Sequence, residues 1–154
     1  MPDRGPDIEA EAHHSDRRQL VADRRFGIIP ADRCLTLLRG QVIGRVAWAG
    51  AEGVQVLPVT YAVAESGIVF RTSPYGPLAE LRDRQQVAFE IDGFDPDDRS
   101  GWSVVVHGRS RAATDAGDLD ELWHASDPVP WAPGTRNLFI VITLDRLTGR
   151  TVAA

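Results

Sequence analysis

Val42-Ile43-Gly44-Arg45-Val46-Ala47-Trp48, then Val54 to Val63, then Ile68-Val69-Phe70-Arg71-Thr72 are three runs rich in β-branched and aromatic residues. The first two are separated by Ala49-Gly50-Ala51-Glu52-Gly53 and the last two by Glu65-Ser66-Gly67. Side chains alternate along an extended strand, so Val42, Val46 and Trp48 are expected to share one face. Three such runs joined by short glycine-containing turns predict an antiparallel meander.

The pattern extends in both directions. Downstream, Gly76 to Arg82 reads as a short helix with Pro77 at its first position, where the missing N–H costs nothing. Val87 to Asp92 alternates again as a fourth strand. Residues 93–101 read as a polar loop, and Trp102 to Arg109 as a fifth strand around Val104-Val105-Val106. Leu119, Leu122 and Trp123 mark a helix after Asp115, and Pro128, Pro130 and Pro133 interrupt regular structure. Leu138 to Leu144 is the sixth strand, and Gly149 to Val152 adds a short terminal segment. Upstream, Ala31, Leu35 and Leu38 recur at helical spacing within Pro30 to Arg39, and Gly40 ends that helix. Residues 1–25 carry eleven charged positions of mixed sign and read as a flexible polar tail. About six strands in residues 26–154 need their edges protected, and closure into a barrel does that.

Composition narrows the function. The chain has 154 residues, enough for one domain with a core. No stretch approaches the roughly 20 apolar residues of a membrane helix, and no secretory signal pattern is present, so a cytoplasmic protein without membrane partners is expected. A single cysteine, Cys34, rules out a disulfide within the chain, and its apolar helical context points to packing. All 17 basic residues are arginine, which removes lysine Schiff bases, lysine general bases and the P-loop lysine. A net charge of −5 without a basic stripe argues against nucleic acid.

No G-x-S-x-G, H-E-x-x-H, C-x-x-C or G-x-G-x-x-G pattern occurs, which weakens hydrolase, zinc and Rossmann readings. The His13-His14 pair lacks further spaced ligands, so no metal site is assigned. His107 alternates on a strand and His124 ends a helix, both read as structural. More informative is Phe70-Arg71-Thr72-Ser73-Pro74-Tyr75-Gly76-Pro77-Leu78. Here a strand ends in a cation and two hydroxyls and turns into a helix, an arrangement that suits a phosphate as well as a plain corner. Trp102-Ser103 at the entry to the fifth strand, and Trp131 to Arg136 before the sixth, place tryptophan beside polar loops where a flat ring could be covered.

Taken in order, these segments resemble the pyridoxamine 5′-phosphate oxidase-like family, the FMN-binding split barrels. The resemblance runs from about Ile29 to Val152. It is carried above all by Pro58-Val59-Thr60-Tyr61 followed by Phe70-Arg71-Thr72, then Gly101 to Gly108, Trp131 to Arg136 and Thr148-Gly149-Arg150. It implies a mainly β fold, a six-stranded antiparallel split β-barrel with short flanking helices. It also implies a homodimer with FMN at the subunit interface. Under it Pro58, Val59, Thr60 and Tyr61 line the flavin ring. Arg71, Thr72 and Ser73 approach the phosphate end, Trp102 and Ser103 contact the cofactor across the dimer, and Trp131 and Arg136 close over it. Relatives place a serine and then a basic residue at the start of the short helix, where this chain has Gly76 and Pro77. Losing one charge-assisted phosphate bond costs about 1.5–3 kcal/mol, and Arg71 and Arg82 are the candidates to replace it.

The expected function is a flavin-dependent oxidoreductase acting on a small-molecule substrate, with no catalytic side chain assigned. Two rivals share the barrel: a reductase using the deazaflavin F420, and a flavin-binding or sensing module without turnover.

Overall fold

A computed structural model describes residues 25–114 and 133–153. The expectations for the 1–24 part of the tail, for the helix around Leu119 to Trp123, and for His124 and Trp131 lie outside these residues. The elements run β1 (Arg25–Ile29), α1 (Ala31–Gly40), β2 (Ile43–Gly50), β3 (Gly53–Thr60), β4 (Ala62–Ala64) and β5 (Gly67–Thr72). A six-residue 3₁₀ helix (Pro77–Arg82), β6 (Gln86–Asp95), β7 (Ser100–Ala112), β8 (Leu138–Ile142) and β9 (Arg146–Ala153) follow. All pairings are antiparallel, in the order β3-β2-β6-β7-β8-β5-β4, with β9 pairing both β7 and β1.

The split lies in β7. Along one edge it pairs β6 from Ser100 to Arg109. Along the other, Gly101 to His107 pair β9 and Ser110 to Ala112 pair β8. At the changeover, Thr143 lies against the strand: its N–H donates to Arg109 O (3.1 Å), and its Oγ1 accepts from Arg109 N (2.9 Å). This close approach requires Gly108, because a Cβ there would collide with the Thr143 carbonyl.

The core follows from alternation. Val46 and Trp48, Val87, Phe89 and Ile91, and Val104 and Val106 all point inward and are buried. They meet Ile68 and Phe70 of β5, Ile140 and Ile142 of β8, Cys34 and Leu38 of α1, and Leu78 and Leu81 of the 3₁₀ helix. Helix α1 closes one end of the core. Tyr61 Oη donates to Leu38 O (2.6 Å), satisfying a carbonyl in the helix's last turn that has no partner within the helix.

The mainly β class and the split barrel hold, but nine strands stand among the described residues where six were expected. The added strands are β4, β1 and β9, the last being the expected terminal segment extended to Arg146–Ala153. Three expectations change, each for a physical reason. First, the run from Val54 to Val63 divides at Tyr61, whose N–H bonds Val42 O as the chain passes from the β2 side to the β5 side. Second, the polar stretch 93–101 is mostly strand. Asp95 Oδ1 accepts from the N–H groups of Asp97 (3.0 Å) and Asp98 (3.2 Å), so a tight turn carries the charges beyond the sheet. Third, β1 was read as tail, yet it pairs with β9 from Arg25↔Ala153 to Ile29↔Gly149. Val42 falls outside β2 and is exposed, so only Val46 and Trp48 of the expected trio face the core.

Candidate functional site

The residues singled out in the sequence fall into separate groups. One group gathers where β3 ends and β5 ends. Thr60 and Pro58 close β3, and the β4–β5 register, Ala62↔Val69, continues toward Thr60 and Arg71, with β3 and β5 in contact. Alternation turns Val59 (8% exposed) and Tyr61 (5% exposed) into the core, so Pro58 and Thr60 are the side chains this edge presents outward. Tyr61 stacks edge-on against Phe89 (4.8 Å between centroids) and uses its hydroxyl on α1. Burial raises its pKa well above the usual phenol range.

On β5, Phe70 and Thr72 face the core, and Arg71 faces the other way. Its Nε donates to Arg136 O (3.0 Å), and its guanidinium lies over the Phe139 ring (5.2 Å). Two candidates 65 residues apart in sequence are thus adjacent. Ser73 continues the strand end. Its Oγ accepts from Tyr75 N (3.2 Å) and keeps its own proton for an acceptor.

The corner from Ser73 to Arg82 is braced from below. Arg82 does not point into open space. Its Nε donates to Ala79 O (2.9 Å) and its Nη2 to Pro74 O, tying the turn to the helix. Glu80 reaches the opposite way: its Oε2 accepts from the buried Trp48 Nε1 (2.9 Å) and from Ala51 N (3.4 Å). Trp48 and Glu80 went unrecognised in the sequence, because nothing in either segment signals a contact between a strand tryptophan and a helix glutamate 32 positions on. At this corner the Arg71 guanidinium stands beside the Arg136 carbonyl and the Phe139 ring, and Arg82 is bonded to the backbone.

Trp102 and Ser103 stand elsewhere. Trp102 faces inward near the start of β7, packs against the core and lies across Gly93. Ser103 faces outward, opposite Asp92 and Arg150. Ten residues of strand, about 33 Å, separate Trp102 from Ala112, the β7 residue on the β8–β5 side. Within one chain the fold does not bring this pair beside Arg71.

Cross-strand registers show what the outward face of the sheet offers. Phe26, Val152, Gly101 and Phe94 form one row; Ile28, Arg150, Ser103 and Asp92 form the next. Pro58, Arg45, Glu90, Val105 and Thr148 form the third, and Val56, Ala47, Ala88, His107 and Arg146 the fourth. Arg45 pairs with both Glu90 (2.9 Å) and Asp92 (3.2 Å) at its centre. Among the described residues eight large hydrophobic side chains are exposed, and six of them, Phe26, Ile28, Ile43, Val54, Val56 and Phe94, lie on this one face. No group of three or more potential metal ligands occurs among the described residues, and no helix there is long and apolar enough to cross a membrane.

Comparison with known proteins agrees with this architecture. The pyridoxamine 5′-phosphate oxidase family profile matches residues 30–151. The uncharacterized protein Rv0080 of Mycobacterium tuberculosis is 28% identical over 129 residues, covering 80% of this chain and 83% of its own. The FAD binding protein of Mycobacterium smegmatis superposes with a TM-score of 0.69 at 27% identity, over 83% of this chain and 100% of that one. A FAD-binding protein of Mesorhizobium loti gives a TM-score of 0.71 at 23% identity, over 85% and 99% of the two chains, and shares the fold.

Proposed function

The chain belongs to the pyridoxamine 5′-phosphate oxidase family, and from that premise we propose that it is a flavin-dependent oxidoreductase acting on a small molecule. The observation that carries the reading is the corner where Pro58 and Thr60 meet Arg71, Ser73 and Arg136. The donor set there fits a flavin nucleotide. A guanidinium held by a backbone carbonyl and an aromatic ring supplies fixed positive charge for a phosphate. The Ser73 hydroxyl supplies a donor, and the Pro58 ring supplies a flat apolar edge for the ring system.

A bound flavin would supply the redox chemistry itself, taking and giving a hydride or electrons at its ring. The chain's residues would then do three things. Arg71 and Ser73 anchor the anionic end. Pro58 and Thr60 hold the ring edge. The Glu80–Trp48 and Arg82–Pro74 bonds keep the corner from moving. FMN is the leading candidate. The relatives named for FAD favour the adenylated form as a second reading, and F420 remains the third. The outward face supports reading the protein as a homodimer: six exposed hydrophobics on one face need a cover, and a second copy could bring Trp102 and Ser103 toward the cofactor.

The test is to purify the full chain, record its absorbance, and identify what denaturation releases. Recovery of FMN or FAD near one per chain supports the flavin reading, and F420 redirects it to the deazaflavin. A colourless protein that takes up none of the three at saturating concentration overturns it. Turnover of a reductant–acceptor pair separates an enzyme from a binding module.

A further inference from the structure

Two of the eight exposed large hydrophobic side chains among the described residues stand off the outward face, Val42 and Tyr75, and Tyr75 is the most exposed of the eight at 95%. It lies in the corner that follows β5, and its backbone is held from both sides. Its own N–H donates to Ser73 Oγ (3.2 Å), and the carbonyl of Pro74 before it accepts from Arg82 Nη2. After it, Gly76 is extended (φ −86°, ψ 175°) where the chain enters Pro77 at the start of the 3₁₀ helix. A ligand then has the two side-chain torsions of Tyr75 left to fix. A flat ring on such a mount gives contact area at little cost in entropy.

The same bond ties the ring to the anion end of the site. Ser73 Oγ, which keeps its proton for a phosphate, is the atom that accepts from Tyr75 N. Two residues span at most about 7 Å of chain, so the ring is within reach of whatever continues beyond that phosphate. In FMN nothing continues. In the adenylated form, FAD, a second phosphate and a ribose lead to adenine, a planar base of the kind that aromatic side chains stack on.

Charge points the same way. Gly76 and Pro77 add no cation to Arg71, and Arg82 is bonded to backbone carbonyls. The terminal phosphate of FMN is a monoester and carries about −1.5 to −2 at neutral pH. Each phosphate in the bridge of FAD carries one negative charge, so a corner with few cations leaves less of it unbalanced.

We propose that Tyr75 is a specificity-determining residue that stacks on the adenine of FAD and gives the corner a preference for FAD over FMN. That preference rests on the flavin reading and narrows it: family resemblance puts FMN first, and the residues of the corner itself put FAD first.

The test is an equilibrium titration of the full-length protein, dialysed free of flavin, with FAD and with FMN. FAD should bind more tightly by about tenfold or more. Tyr75→Ala should weaken FAD about tenfold, the worth of one stacked base, and change FMN affinity by no more than about twofold. Tyr75→Trp should keep the preference, since a larger ring stacks as well. Both variants should unfold at the wild-type denaturant midpoint, because the ring is 95% exposed. FAD affinity unaltered in Tyr75→Ala, a parallel fall for both flavins, loss of the preference in Tyr75→Trp, or FMN bound as tightly as FAD by the wild type would each overturn the role of Tyr75 and leave the flavin reading standing. A folded wild-type protein that binds neither flavin overturns the flavin reading, and the role of Tyr75 with it.

Discussion

Tyr61 shows how one residue can answer two demands at once. Its position after Thr60 made it a candidate for the cofactor wall, but alternation turns it inward, where its hydroxyl donates to Leu38 O and its ring meets Phe89. Tyr61→Phe is expected to cost about 1 kcal/mol in urea denaturation at neutral pH, the usual net worth of such a bond. The pH dependence has a definite sign. The folded-state pKa is raised by burial, so this residue's stabilisation is complete below the unfolded value of about 10 and is lost as pH rises beyond it. The wild-type protein should therefore lose stability above about pH 10 more steeply than Tyr61→Phe; parallel alkaline slopes would assign the loss to other groups. Arg71 behaves differently. Its guanidinium lies on the face away from the core, braced by Arg136 O and Phe139. Arg71→Ala should weaken flavin binding roughly ten- to hundredfold in a fluorescence titration while changing the unfolding midpoint little. Unchanged affinity would remove Arg71 from the phosphate site. Arg71→Lys should recover only part of the affinity, since an ammonium cannot keep both the carbonyl bond and a planar pair with phosphate.

At the scale of elements, what could be read from the sequence depends on how far apart the determinants lie. The strands around Val46, Phe70, Phe89 and Val105 were legible because β-branched alternation is a local signal. β1 was not, because Phe26 and Ile28 are exposed and its only support is pairing with β9, about 125 residues on. The hairpin at 93–101 was concealed by its own charge, which the Asp95 turn holds beyond the sheet. The grouping of Arg71 with Arg136 was implied by the family resemblance and not by either segment alone, and the Trp48–Glu80 brace had no sequence signal. Two predictions belong here. Gly108→Ala should destabilise by about 3 kcal/mol in chemical denaturation, the upper end of overpacking costs, because the obstacle is the backbone carbonyl of Thr143; a cost near zero would mean the β8–β9 connection yields readily. Glu80→Ala strips the buried Trp48 Nε1 of its acceptor, a loss of about 1–3 kcal/mol. It also loosens the corner above, so flavin affinity should fall although Glu80 touches no proposed ligand atom. If stability falls while affinity holds, the brace supports the barrel alone and not the site.

The whole molecule poses a question that no single element answers: why six large hydrophobic side chains should share one open face. Strands β3, β2, β6, β7, β9 and β1 span about 24 Å across at ~4.8 Å per strand spacing. At that width the face is comparable with the roughly 800 Å² per partner of a stable protein interface. Its composition fits self-association. Apolar residues stand at both margins, with Val54 and Val56 on one side and Phe26 and Ile28 on the other. The centre carries both signs of charge in Arg45, Glu90 and Asp92, so two copies related by a two-fold axis can meet without like charges facing throughout. This face also connects the separated halves of the candidate site. Pro58 and Thr60 end on it, and Ser103 lies on it three strands away, so a second copy turned through half a revolution is a natural means of bringing Ser103 and Trp102 toward the first copy's corner. Val56→Asp places a charge on this face and should shift the protein to monomer in sedimentation velocity. Val42→Asp is the matched control: Val42 is 58% exposed against 57% for Val56, but it lies outside β2 and outside the paired rows of this face. If the dimer reading holds, Val56→Asp alone dissociates the protein, and flavin retention falls with it because each site would lose the partner's contribution. If both variants sediment as the wild type does, the six hydrophobics are covered by something other than a second copy. If Val56→Asp is monomeric yet holds flavin as tightly as the wild type, the cofactor is bound within a single chain, and Trp102 with Ser103 belongs to packing.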